Sequence, residues 1–148
     1  MVRVLLKFPE KIADQPITAQ VIMEQKVSIN ILAAHVNQQG GEMLVEIPSA
    51  EAEKVIEEFR RRGAIIEPHK PIKIDSEECL ECGACYSICP VNAITLGEDY
   101  SINFNQEKCL GSACRLCVDA CPAKAIKVVE YAEKETLKAA NREQPKVV

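Results

Sequence analysis

The chain has 148 residues, 18 Lys and Arg against 22 Asp and Glu, a formal net charge of −4, and eight cysteines. That length allows one ordinary domain or two small ones, and an acidic balance in both parts of the chain argues against a nucleic-acid partner and for basic protein surfaces. No run of about 18 apolar residues offers a membrane span, and no apolar leader opens the chain, so a soluble, cytoplasmic protein is expected, in which clustered cysteines bind metal rather than form disulfides.

All eight cysteines lie between Cys79 and Cys121, and the composition changes just past Pro68 and Pro71. The expected domains are therefore residues 1–70, residues 71–130 and a charged tail over 131–148. In the first, Val2, Val4, Leu6 and Phe8 alternate with Arg3, Leu5 and Lys7, which predicts a strand that Pro9 ends. A short helix follows from Pro16 to Lys26, with Ile17 and Val21 four apart and Asp14 as its start signal. From Val27 to Asn37 the alternation returns, placing Val27, Ile29, Ile31, Ala33 and also His35 on one side, so that His35 reads as a packed strand-end histidine rather than a ligand or base. Gln38-Gln39-Gly40-Gly41 turns the chain into Met43, Val45 and Ile47, a hairpin.

Ser49 is expected to cap a second helix, whose Ala52, Val55, Ile56 and Phe59 recur at helical spacing. Glu51 and Glu53 suit its positive end, Arg60, Arg61 and Arg62 suit its negative end as a solvated terminus, and Gly63 stops it. Ala64 to Glu67 make a last strand. The order is βαββαβ, an α+β arrangement with both helices on one face of a four-stranded antiparallel sheet and the other face left for a partner.

With Asn30-Ile31-Leu32 inside the second strand of that order, residues 1–70 resemble the NIL domain, a family named for the tripeptide and found on ATPase subunits of bacterial methionine importers. The resemblance implies an ACT-like, ferredoxin-like fold, with a sulfur-amino-acid ligand or a homodimer contact along the open sheet face. A plain sheet-to-sheet contact lined by Ser28, Asn30 and Leu32 is the simpler alternative.

The cysteines form two runs. Cys79, Cys82, Cys85, Cys89 and Pro90 read CxxCxxCxxxCP, and Cys109, Cys114, Cys117, Cys121 and Pro122 read CxxxxCxxCxxxCP, two residues longer in the first gap. Triplets of thiolates at these gaps suit a cubane iron–sulfur cluster, whereas structural zinc wants pairs and has no use for a CP at fixed spacing in both copies. Pro90-Val91-Asn92-Ala93-Ile94 and Pro122-Ala123-Lys124-Ala125-Ile126 extend the repeat, and a hairpin around Glu98 and Asp99 separates its copies.

These motifs resemble the bacterial two-cluster ferredoxins. Carried over, they imply two [4Fe–4S] clusters, one held by Cys79, Cys82, Cys85 and Cys121, the other by Cys89, Cys109, Cys114 and Cys117. Gly83 would let backbone amides approach inorganic sulfur. Cys109 reaches its iron only if Leu110 to Ala113 loop out, which Gly111 and Ser112 ease, and full ligation is expected.

No GxGxxG fingerprint, phosphate loop or catalytic pair is legible, so the chain reads as a one-electron relay with no catalytic residue of its own. The fusion as a whole resembles proteins of methanogens and other anaerobes, some of which serve as the iron–sulfur subunit of L-aspartate semialdehyde sulfurtransferase. That resemblance implies a catalytic sulfurtransferase subunit as partner, in a reductive synthesis of homocysteine. A general electron carrier, and a redox protein regulated by a sulfur amino acid, are the other readings. The tail, with Glu130 and Lys134 at helical spacing, is expected to be a solvated end.

Overall fold

A computed structural model describes residues 1–129, which divide into two compact units, Met1–His69 and the residues from Lys70 onward. The charged tail lies outside the described residues.

The first unit is built on β1 (Val2–Phe8), α1 (Ile17–Gln25), β2 (Asn30–Asn37), β3 (Gly40–Ile47), α2 (Ala52–Arg61) and β4 (Ile65–Pro68). The strands form one antiparallel sheet in the order β2-β3-β1-β4, so the first strand lies inside it and the two crossovers are the helices. Val2, Val4, Leu6 and Phe8 of β1 join Val45 and Ile47 of β3 in a single core with Ile17 and Val21 of α1 and Val55, Ile56 and Phe59 of α2. Each such side chain, fully buried, contributes roughly 1.5–3 kcal/mol, and the alternating pattern of β1 thus orients the sheet toward its helices.

The helix ends depart from the expected caps. Pro16 precedes α1 and Glu51 precedes α2, and neither helix has a side-chain cap. Asp14 therefore starts nothing, and Ser49 instead accepts a hydrogen bond at its Oγ from the Met1 ammonium at 3.1 Å. The stop is as expected: Gly63 has φ +97°, its N–H donates to the Arg60 carbonyl, and the Ala64 N–H reaches back to Phe59 at 3.0 Å. Arg62 is not a solvated end. It donates to Glu58 at 2.9 Å, to Gln20 at 2.7 Å and to Glu24, tying α2 to α1.

The second strand starts at Asn30 rather than Val27, and its register shifts between Ile31 and Ala33. Such a bulge moves every later side chain to the other face. Ile31 pairs with Val45 of the core-facing row, but His35 pairs with Glu42 and is exposed, so its expected place beside Ile29 and Ile31 is wrong. Gly40 and Gly41 belong to β3, not to the turn. A Cβ on Gly41 would stand 2.2 Å from the His35 carbonyl oxygen, which is why the strands meet there only through glycine.

The sheet face away from the helices carries a polar ladder. Arg3 Nε donates to Glu46 Oε1 at 2.8 Å, Asn30 Nδ2 donates to Glu46 Oε2 at 3.2 Å, and Lys7 Nζ donates to Glu67 Oε1 at 2.8 Å. Between these rows Leu5 and Leu44 pair in register, both buried.

Partial burial would push the Glu46 carboxyl up, but Arg3 and Asn30 outweigh this and hold it below its ordinary value of 4.5. A carboxylate whose folded pKa is depressed stabilises the fold above its unfolded pKa and loses that contribution as pH falls through the folded value. Glu46→Gln should cost about 1–2 kcal/mol at pH 7 by urea denaturation. The deficit should shrink below about pH 4.5; a deficit independent of pH would show that Glu46 acts through packing alone.

Candidate metal centre

The second unit repeats itself. β5 (Ile72–Ile74) pairs antiparallel with β8 (Ile126–Val128), and β6 (Ile94–Leu96) pairs with β7 (Ile102–Phe104). Two five-residue helices, α3 (Ala84–Ile88) and α4 (Leu116–Ala120), lie within the cysteine runs, each just before the last cysteine of its run. Equivalent bonds recur across the halves: the Asp75 N–H donates to the Ala125 carbonyl at 2.8 Å, and the Asn105 N–H donates to the Ala93 carbonyl at 2.7 Å. Each half therefore closes on the other. The φ angles of Asn92 (+52°) and Lys124 (+54°), four residues before Leu96 and Val128, repeat as well.

Around this frame the cysteines gather in two hollows. Cys79, Cys82, Cys85 and Cys121 line one, together with Gly83, Ile102 and Ile126. Cys89, Cys109, Cys114 and Cys117 line the other, together with Ile72, Phe104 and Arg115. Each hollow receives three cysteines from its own run and the fourth from the other. Cys85 and Cys117 sit in the first turns of α3 and α4, whereas Cys89 and Cys121 end those helices in extended backbone and point the chain toward the opposite hollow.

The longer gap of the second run closes without disturbing this plan. Gly111, with φ +58°, matches Glu81, with φ +52°, and each places an N–H on the sulfur two residues earlier: Gly111 to Cys109 at 3.3 Å and Glu81 to Cys79 at 3.4 Å. The two extra residues, Ser112 and Ala113, form a turn of 3₁₀ helix with Gly111. Ser112 N–H donates to the Lys70 carbonyl at 2.8 Å, and its Oγ accepts from the Lys70 N–H at 3.3 Å. The insertion thus anchors the start of the unit, and Cys109 still lines its hollow.

The donor set fits iron–sulfur clusters. All eight cysteines are free thiols. Amides point at sulfur at four matched places, with Ala93 N–H on Cys89 at 3.3 Å and Ala125 N–H on Cys121 at 3.4 Å completing the set. A Cβ on Gly83 would meet no heavy atom within 4 Å, so open space adjoins the backbone there. Burial pushes the Cys117 thiol up to about 11, with Cys109 and Cys114 adding to the rise, and burial likewise raises Cys85. Burial would raise Cys121 too, but the amides from Ala123 to Ile126 outweigh it and lower that thiol.

A third hollow, on the first unit, is open and lined by Lys7, Phe8, Pro9, His35, Gly41, Glu42 and Ile65. The bulge in β2 brings His35 to it, a place that alternation alone hid. Among the described residues no helix is long and apolar enough to cross a membrane.

Comparison with known proteins agrees with this division. Residues 2–68 match the NIL domain, and residues 72–128 match the 4Fe-4S dicluster domain. An L-aspartate semialdehyde sulfurtransferase iron-sulfur subunit of Methanosarcina acetivorans is 31% identical over 68% of this chain and 78% of its own length. The protein of the same description from Methanocaldococcus jannaschii is 37% identical over 64% of this chain and 73% of its own. Pyruvate synthase subunit PorD of Methanocaldococcus jannaschii, 37% identical, covers only 38% of this chain. The fold and site define an iron–sulfur electron-transfer protein with two [4Fe–4S] clusters. It belongs to the family in which a NIL domain precedes a 4Fe-4S dicluster domain, the family of those two iron–sulfur subunits.

Among the described residues of the second unit the buried hydrophobics are Ile72, Ala93, Ile94, Ala125, Ile126 and two cysteines, a small core for a body that metal binding would help hold together. Stripping the iron anaerobically with a chelator should therefore abolish amide-exchange protection over residues 72–128 while residues 2–68 keep theirs. Retained protection across both would show that the metal does not support the fold.

Proposed function

We propose that this chain is the iron–sulfur subunit of an L-aspartate semialdehyde sulfurtransferase, working in the cytoplasm of an anaerobe. What supports this reading is that the relatives of that description are matched over 68% and 64% of this chain, more than either unit alone, whereas the pyruvate synthase subunit is matched over 38% of it. In this proposal Cys79, Cys82, Cys85 and Cys121 hold one cluster and Cys89, Cys109, Cys114 and Cys117 the other, which their grouping about two hollows supports. A [4Fe–4S] cluster takes up and returns single electrons.

The chain's own residues bind and tune. Eight thiolates hold the metal, amides at Glu81, Ala93, Gly111 and Ala125 offset sulfur charge, and Ile72, Ile94 and Ile126 keep water from between the halves. Turning an aldehyde and sulfide into a thiol and water consumes two electrons and two protons, which a two-site relay can deliver singly to a catalytic subunit. With all eight thiols committed to iron, none remains to carry sulfur, so the sulfur-transferring thiol belongs to that other subunit.

A test is an anaerobic pull-down from native extract followed by assay of homocysteine formation from aspartate semialdehyde. One stable partner whose activity is lost without this chain is the expected outcome; loose recovery of several oxidoreductases without that activity would make the chain a general electron carrier. During turnover with labelled sulfide, no label should appear on a cysteine side chain of this protein, and label there would refute the division of labour. The open hollow with Lys7, His35 and Glu42 favours a second reading, in which a sulfur amino acid binds the first unit and adjusts electron flow; calorimetry with methionine and homocysteine checks it.

A further inference from the structure

The internal repeat is its own control experiment. The amide-to-sulfur bonds match within 0.1 Å, at 3.4 and 3.3 Å in both pairs, and Cys85 and Cys117 are equally buried. Charge does not match. Asp75 and Asn105 accept the same turn bond, from Glu77 and Glu107 at 3.0 Å, and so fix the alignment. From there, Glu78 stands where the second run has Lys108, Glu81 where it has Gly111, and Gly83 where it has Arg115. Asp119, in place of Ser87, is the one change in the opposite sense before the fourth cysteines, and Glu78 is partly offset by Lys127 at 3.5 Å.

Arg115 is the change that touches a hollow. It lines the second as Gly83 lines the first, and it does so in a left-handed backbone conformation, φ +59° against +77° for Gly83. That conformation disfavours a side chain by about 1–2 kcal/mol, so a residue other than glycine is held there at a cost. Among the described residues no carboxylate pairs with it.

We infer that Arg115 is a positioning residue for charge: its guanidinium makes the second hollow the more oxidising of the two, so that in the half-reduced protein the electron rests there, among Cys89, Cys109, Cys114 and Cys117. A site that gains one negative charge on reduction is favoured by a nearby cation, and the hydrogen bonds to sulfur compared across the halves match in length. The inference rests on the assignment of four thiolates to each hollow.

The test is proton NMR of the loaded, full-length protein poised half-reduced with dithionite, reading the contact-shifted β-protons of each cysteine after residue assignment. In the unaltered protein the reduced-state shifts should concentrate on the second set. Arg115→Gln, which keeps the backbone strain and removes the charge, should lower the ratio of second-site to first-site reduction by about threefold to tenfold, equivalent to about 28–59 mV for a one-electron couple. Arg115→Gly, which relieves the strain as well, should do the same, and Arg115→Lys should leave the ratio in place. An electron resting on the Cys79, Cys82, Cys85 and Cys121 set, or a ratio unmoved by Arg115→Gln, would overturn the inference. Absence of contact shifts at all eight cysteines would overturn the cluster assignment, and this inference with it, and iron analysis of the same sample would identify that case.

Discussion

Each hollow borrows one cysteine from the other half of the repeat, and the rest of the second unit follows from that exchange. Cys89 and Cys121 leave the ends of α3 and α4 in extended backbone and cross to the opposite site. Neither half can then complete a site alone. The small paired strands, the reciprocal bonds from Asp75 and Asn105, and the buried isoleucines hold the halves in register. Two sites built this way must also lie close together, which is what a relay passing single electrons needs.

The gathering of the cysteines into two groups was legible because their spacing is a local property: a run of thiols two and three residues apart is set by the chain itself. The two-residue insertion was legible as an insertion but not in its purpose. Only the fold brings Ser112 onto Lys70, far away in sequence. The same contrast runs through the first unit. The alternation of β1 and the helical spacing of Ala52, Val55, Ile56 and Phe59 identified the buried faces directly, because period and burial are coupled. The bulge after Ile31 was invisible, since one extra residue in an apolar stretch leaves no compositional trace, and it reversed the face of His35. Ser49 looked like a cap because its residue type favours caps, but the Met1 ammonium takes its oxygen. The sheet face left open by pattern alone turned out to be laced by Arg3, Glu46 and Asn30, whose pairing depends on strand order.

The repeat also shows how a duplicated architecture can give two unlike sites. Backbone hydrogen bonds to sulfur, set by the fold, recur at every equivalent place, whereas side-chain charge, which the fold does not dictate, differs at Glu78 and Lys108, Glu81 and Gly111, and Gly83 and Arg115. A relay with two identical sites has no preferred direction. Asymmetric charge on a symmetric frame provides one, and it does so without altering the ligands. The NIL unit precedes the dicluster unit in this chain, and the two iron–sulfur subunits it resembles are matched over 68% and 64% of its length.

The exchange of cysteines between halves is the claim on which the rest stands, and an anomalous difference map at the iron edge from anaerobically grown crystals tests it most directly. The account predicts two compact four-iron densities, one against Cys79, Cys82, Cys85 and Cys121 and the other against Cys89, Cys109, Cys114 and Cys117. Single-ion density at either place, or a Cys109 sulfur standing away from the second cluster, would contradict it.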